Sequence, residues 1–131
     1  GAFMRVGVDI ISVDRLRRVI VRHGDRFLRR VFTQQEQAIC HDDPRRLAGR
    51  YAAKEAIAKA LGTGIGRLGI RFHDIEILQE AWGGPKVRLH KAALKRFQAI
   101  GSKDITLSLS HEDEYAVAFC VITLGTNDDA R

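Results

Sequence analysis

Cysteine is scarce in this chain. Its 131 residues hold two, Cys40 and Cys120, and neither stands in a C-x-x-C pair or a Cys/His ligand pattern. A disulfide scaffold and a zinc module are therefore excluded, and both thiols read as free in a reducing compartment. Long apolar runs are missing as well: no stretch approaches the roughly 18 apolar residues of a membrane span, and no secretory leader is visible. No membrane partner is expected, and a cytoplasmic location follows by default. Aromatics are few, six Phe, two Tyr and one Trp. Most lie on apolar faces, which does not fit the interleaved stacking platform of a single-strand nucleic-acid binder. No internal repeat, linker or low-complexity segment divides the chain.

What is present describes a soluble α+β protein. Hydrophobic residues make up 45% and charged residues 29%, enough apolar material for one self-sufficient core. The net charge of +6 favours a polyanionic partner, whether nucleic acid, a phosphorylated cofactor or an acidic protein, over a neutral one; a merely soluble basic surface is the alternative. Much of that charge is concentrated early, in Arg15, Arg17, Arg18, Arg22, Arg26, Arg29 and Arg30.

The chain reads as one domain over 4–124, preceded by Gly1-Ala2-Phe3, set aside as a cloning remnant before Met4, and followed by a polar tail at 125–131. Residues 5–11 alternate, Val6, Val8 and Ile10 against Gly7 and Asp9, which is strand periodicity. Ser12 caps a helix predicted over 13–21, a second covers 25–30, and Thr33 with Glu36 forms a capping box for a third. The longest helix is predicted over 45–61, alanine-rich and ended by Gly62-Thr63-Gly64. Strands at 70–78 and 87–89, a helix at 91–100 and a terminal hairpin, 105–110 with 115–124, complete the chain. The expected fold is a small, mainly antiparallel sheet with a long buried helix and several shorter ones.

Asp9 is anomalous in mid-strand, where a buried carboxylate needs a compensating charge. An exposed strand face, a nearby arginine or a metal ion would each supply it. On the long helix the central charges are Arg50, Lys54, Glu55 and Lys59 among Ala, Ile, Leu and Tyr. Arg50 and Lys54 share one face, Glu55 and Lys59 another. These are either two solvated patches or a carboxylate with three cations, a set that suits a metal and several phosphates. Asp9 and Glu55 would then be two oxygen ligands of a magnesium ion, with manganese equally suited. The Gly62-Thr63-Gly64-Ile65-Gly66 loop is a weak signal, since it lies at the helix C-terminus, where the dipole opposes a phosphate. His111, at the hairpin tip, is unremarkable by itself.

Together these residues resemble the holo-[acyl-carrier-protein] synthases, the short bacterial type of 4'-phosphopantetheinyl transferase. Gly7-Val8-Asp9-Ile10-Ile11-Ser12-Val13-Asp14-Arg15 resembles the family's opening motif, and Phe32-Thr33-Gln34-Gln35-Glu36 its second. Arg50-Tyr51-Ala52-Ala53-Lys54-Glu55-Ala56, continuing through Lys59-Ala60-Leu61-Gly62-Thr63-Gly64, resembles the most diagnostic stretch. Gly83-Gly84-Pro85 and Ser108-Leu109-Ser110-His111 with Tyr115-Ala116 follow in family order. The resemblance implies transfer of 4'-phosphopantetheine from coenzyme A to a serine of an acyl carrier protein, in fatty-acid biosynthesis or on a polyketide or peptide carrier. It implies Asp9 and Glu55 as magnesium ligands, Glu55 as proton acceptor and Lys59 near the bridging phosphate. Arg50, Lys54, Lys59, Gly62, Pro85 and His111 would contact coenzyme A, His111 from a neighbouring subunit of a homotrimer. Arg15, Arg22 and Arg26 would dock the acidic carrier, and no nucleic-acid partner is expected. Glu112 departs from the small hydroxyl residue that relatives often carry there, and Trp82 has no place in the resemblance.

Overall fold

A computed structural model describes residues 3–125 of the chain; the rest of the expected leader and of the polar tail lies outside the described residues. The order is β1 (Met4–Ser12), α1 (Val13–His23), α2 (Asp25–Val31), α3 (Gln34–Cys40), α4 (Pro44–Ala60), β2 (Ile75–Gln79), β3 (Pro85–Leu89), α5 (Lys91–Ala99), β4 (Ser102–His111) and β5 (Tyr115–Leu124). The anticipated caps are present. Ser12 accepts from Arg15 N, and Thr33 and Glu36 form the reciprocal box. Asp43 caps α4 ahead of a proline in its first turn.

The strands form two antiparallel sheets where one was expected. A three-stranded sheet runs β1-β5-β4, and a separate hairpin pairs β2 with β3. The predicted strand over 70–78 is shortened to Ile75–Gln79 because the chain ahead of it turns. Gly66, Leu68 and Gly69 all take positive φ, and two short 3-10 turns occupy Arg67–Gly69 and Phe72–Asp74. Positive φ cannot be carried in a ladder, so pairing starts only beyond those turns.

Helix α4 crosses the inner face of the larger sheet. On β5, Ala116, Ala118, Cys120 and Ile122 alternate inward and are fully buried, as period two requires. On the helix, Ala52, Ala53, Ala56 and Ala60 each present only a methyl group to the core. The approach is closest at Gly7 on β1, where a Cβ would sit 1.9 Å from the carbonyl oxygen of Ala56 and 2.9 Å from Ala60 N. Glycine is required there by contact with helix backbone, not by conformation. The same geometry turns Gly7 and Asp9 toward α4 and sends Val6, Val8 and Ile10 outward, 55%, 54% and 64% exposed. A second cluster, including Leu16, Phe27, Val31, Phe32 and Leu47, packs α1 and α2 against the first half of α4.

Lys54 belongs to this architecture. The expectation that it contacts coenzyme A is corrected: its side chain is fully buried and forms a 2.8 Å ion pair with equally buried Glu36. Its Nζ also donates to Phe72 O at 3.0 Å and Ile75 O at 2.6 Å. Three donors meet three acceptors, leaving none for a ligand. Glu36 in turn accepts from Thr33 N and Ile77 N, so one buried pair joins α3, α4 and β2. Burial pushes the Lys54 ammonium below the usual lysine range, and the Glu36 carboxylate opposes that shift.

Two outcomes test this packing. Gly7→Ala is expected to cost about 1–3 kcal/mol, the scale of overpacking, read as a lower urea midpoint with an unchanged slope. Lys54→Met strands the Glu36 carboxylate and is expected to cost about 3–5 kcal/mol; pairing it with Glu36→Leu in a double variant should recover part of that loss.

Candidate active site

Asp9 and Glu55 reach the same cleft. β1 delivers the first, because its register turns position 9 to the helix side, and α4 delivers the second. The cleft has a volume of about 980 Å³ and is also lined by Tyr51, Arg15, Arg26 and Arg30. Lys59, one turn after Glu55, donates to Asp9 Oδ1 at 3.1 Å and to Val8 O at 2.9 Å. Its side chain remains half exposed while that of Asp9 is 18% exposed, so the ammonium is held beside Asp9 with one donor lacking an acceptor among the described residues.

Burial pushes the Glu55 carboxyl above the usual range, the Asp9 charge pushes it further, and Lys59 pulls it back. A divalent cation between the two carboxylates would relieve the cost that the Asp9 charge places on ionising Glu55. Among the described residues no three His, Cys, Asp or Glu side chains gather as a metal cage. The donor set is thus two carboxylate oxygens, which fits an ion such as magnesium that completes its shell with water and phosphate oxygens.

Other expected residues are distributed differently. Arg50 is 9% exposed and donates from Nε to Ile77 O at 3.0 Å; it points with Lys54 toward β2 and does not line this cleft. Pro85 opens β3 and His111 ends β4; neither lines the cleft of the single chain. His111 lies beside Gly49, its Cδ2 3.7 Å from where a Cβ would stand. Gly62 closes α4 with φ +83°. Arg15 and Arg26 line the cleft, and Arg22, exposed on α1, does not.

Tyr51, Arg30 and His23, none of them an expected site residue, also line the cleft. Tyr51 precedes Glu55 by four residues and so shares its face, a spacing that was available. Its ring stacks on Phe27 at 6.4 Å and tilts over Phe72 at 5.5 Å. Burial raises the phenol pKa, and the charges of Glu55 and Asp9 raise it further. Arg15, Arg26 and Arg30 have no carboxylate partner among the described residues, whereas Arg17 and Arg18 pair with Asp14. The arginines at the cleft are those left available to an outside anion.

The chain resembles known proteins over most of its length. The family model described as the 4'-phosphopantetheinyl transferase superfamily matches residues 5–120. A holo-[acyl-carrier-protein] synthase of Shewanella amazonensis is 46% identical over 120 residues, covering 89% of this chain and 95% of that protein. One from Roseiflexus castenholzii is 49% identical over 106 residues, 78% of each. The crystal structure of the Helicobacter pylori holo-[acyl-carrier-protein] synthase in complex with coenzyme A superposes with a TM-score of 0.82 at 31% identity, covering 90% of this chain and 99% of that one. With its acidic pair on β1 and α4 and its sequence alike throughout, the chain belongs to the 4'-phosphopantetheinyl transferase superfamily, among the short holo-[acyl-carrier-protein] synthases.

Proposed function

We infer that this protein transfers the 4'-phosphopantetheine of coenzyme A to a serine of an apo acyl carrier protein. The observation that carries the reading is the convergence of Asp9 and Glu55 in one cleft with Lys59 held between strand and helix, in a chain whose relatives bear that enzyme's name. The serine hydroxyl attacks the β-phosphorus of the pyrophosphate, the P–O bond to the adenosine side breaks, and adenosine 3',5'-bisphosphate leaves. Glu55, half-buried and with a raised pKa, accepts the serine proton. Lys59 balances charge on the leaving phosphate and is placed to protonate it. Asp9 and Glu55 would hold a magnesium ion, which when bound supplies positive charge to the phosphoryl oxygens.

The unpaired arginines beside this centre, Arg15 and Arg26 with Arg30, suit an acidic carrier, steering it by charge so that its serine enters over Tyr51. Arg22 lies outside the cleft wall and belongs to the wider basic face. The acting unit is a homotrimer in this reading. The outer face of the large sheet exposes Val6, Val8, Ile10, Tyr115, Val117 and Phe119 together, a contiguous apolar surface of the kind that marks association. His111 and Pro85, absent from the chain's own cleft, would then come to coenzyme A from a neighbouring copy. No helix among the described residues is long and apolar enough to cross a membrane, and a cytoplasmic enzyme is part of the proposal.

Three outcomes test it, the first by mass spectrometry of an apo carrier protein incubated with coenzyme A and magnesium. The wild type adds one phosphopantetheine mass, and Asp9→Asn or Glu55→Gln lowers the rate by about 100-fold or more; full activity in either overturns the assignment. For stability the sign is opposite. Because folding raises the Glu55 pKa, the metal-free protein gains stability as pH falls through that pKa and loses it as pH rises. Glu55→Gln should therefore raise the melting temperature of the metal-free protein at neutral pH and flatten its acid-side pH dependence. Phe119→Glu is expected to give monomers by light scattering and to lose transfer with them.

A further inference from the structure

The Tyr51 hydroxyl is a polar group of the cleft wall that the transfer as proposed leaves idle. Its ring is held by packing. It stacks on Phe27 with centroids 6.4 Å apart and tilts over Phe72 at 5.5 Å, and Phe27 meets Phe32 edge-on at 6.5 Å. A phenylalanine would make the same contacts, so the aromatic cluster needs the ring and not the oxygen. The hydroxyl of a packed tyrosine ordinarily finds a protein partner. Tyr51 makes no side-chain hydrogen bond among the described residues. Nor is its oxygen sealed away, since Ser102 Oγ is the one buried side-chain polar atom without a partner among the described residues.

Position in the fold gives this oxygen a direction. Tyr51, Glu55 and Lys59 follow one another at four-residue steps on α4, each step advancing about 6 Å along the helix axis. Four charges act on the phenol: those of Glu55 and Asp9, and with opposite sign those of Arg30 and Arg15. All four residues line the same cleft as Tyr51. The hydroxyl therefore stands between the acidic pair and the basic wall, and a group that enters past the arginines and ends at Glu55 passes it. A phenol is protonated at neutral pH and offers one donor. On a ring clamped by two others, one helical turn from Glu55, that donor has no acceptor in the chain.

We propose that the Tyr51 hydroxyl orients the attacking serine, donating a hydrogen bond to the serine oxygen so that the serine's own proton turns to Glu55 and its remaining lone pair to phosphorus. The inference deepens the proposed function and rests on it. Protons and electrons balance with Tyr51 unchanged. The serine proton passes to Glu55, the serine oxygen forms the new P–O bond, and the bond to the adenosine side breaks with its electron pair on the departing phosphate, beside Lys59. The clamped donor acts by fixing one rotation of the serine before attack, an effect of position and not of charge.

Tyr51→Phe tests it, because it deletes the oxygen and keeps the ring; circular dichroism checks the fold. Transfer to an apo carrier protein, with coenzyme A and magnesium, is followed by mass spectrometry to give kcat and the KM of the carrier. The expected result is a kcat lowered about tenfold, with carrier KM and melting temperature unchanged. In a Glu55→Gln background the same substitution should lower the residual rate by less than about twofold, since turning the proton achieves nothing without its acceptor. An unchanged kcat overturns the role. A raised carrier KM at the wild-type kcat makes Tyr51 part of the docking wall and also overturns it. So does a tenfold loss that persists in the Glu55→Gln background, which would detach the hydroxyl from the contact between serine and Glu55. A wild type that adds no phosphopantetheine refutes the proposed function and this role with it, whereas an active wild type matched by Tyr51→Phe refutes this role alone.

Discussion

The close contact between β1 and α4 is the constraint on which the site depends. A glycine laid on the backbone of an alanine-lined helix brings strand and helix nearer than any side chain would allow. At that distance Lys59 spans the gap to Asp9 and Val8, and Glu55 shares a cleft with Asp9. The small residues of α4 do more than fill the core, because they set the separation of two carboxylates that lie far apart in sequence. Packing here is the means by which the electrostatics is built.

Charge is placed by depth. Lys54 and Glu36 are sealed in the interior, each satisfied by backbone as well as by the other, and they fix how α4 is turned relative to β2. Asp9, Glu55 and Lys59 stand at intermediate depth, where a carboxyl pKa is movable but solvent and ligand still enter. Arg15, Arg26 and Arg30 stand outside, without a carboxylate partner among the described residues, where they act over distance. A single basic excess in the composition thus divides into three uses that net charge alone does not separate.

The sequence made the elements and the acidic pair legible for local reasons. Capping residues, alanine content and the alternation over 5–11 act within a few positions, and the structure follows them. Asp9 stood out because a carboxylate in a strand is costly anywhere. What was not legible depended on distant partners. Lys54 looked like a ligand because its partner Glu36 lies on another helix and its carbonyl partners on a turn and a strand. The alternation of β1 was plain, but which face was inward was not, since Val6, Val8 and Ile10 are the apolar set and are the ones turned out. The second sheet was hidden because 70–78 mixes apolar and polar residues as one strand would, whereas a 3-10 turn occupies Phe72–Asp74 and the strand begins only at Ile75.

The central strand has one more property. Cys120 stands opposite Gly7 in the ladder, has no accessible surface, and burial pushes its thiol up to about 12; Cys40 is equally enclosed. In the native chain neither is a nucleophile, and alkylation has to wait for the protein to open. The middle of the sheet therefore carries a built-in clock: the rate at which a thiol reagent labels Cys120 follows the breathing of the strand and helix that carry Asp9 and Glu55.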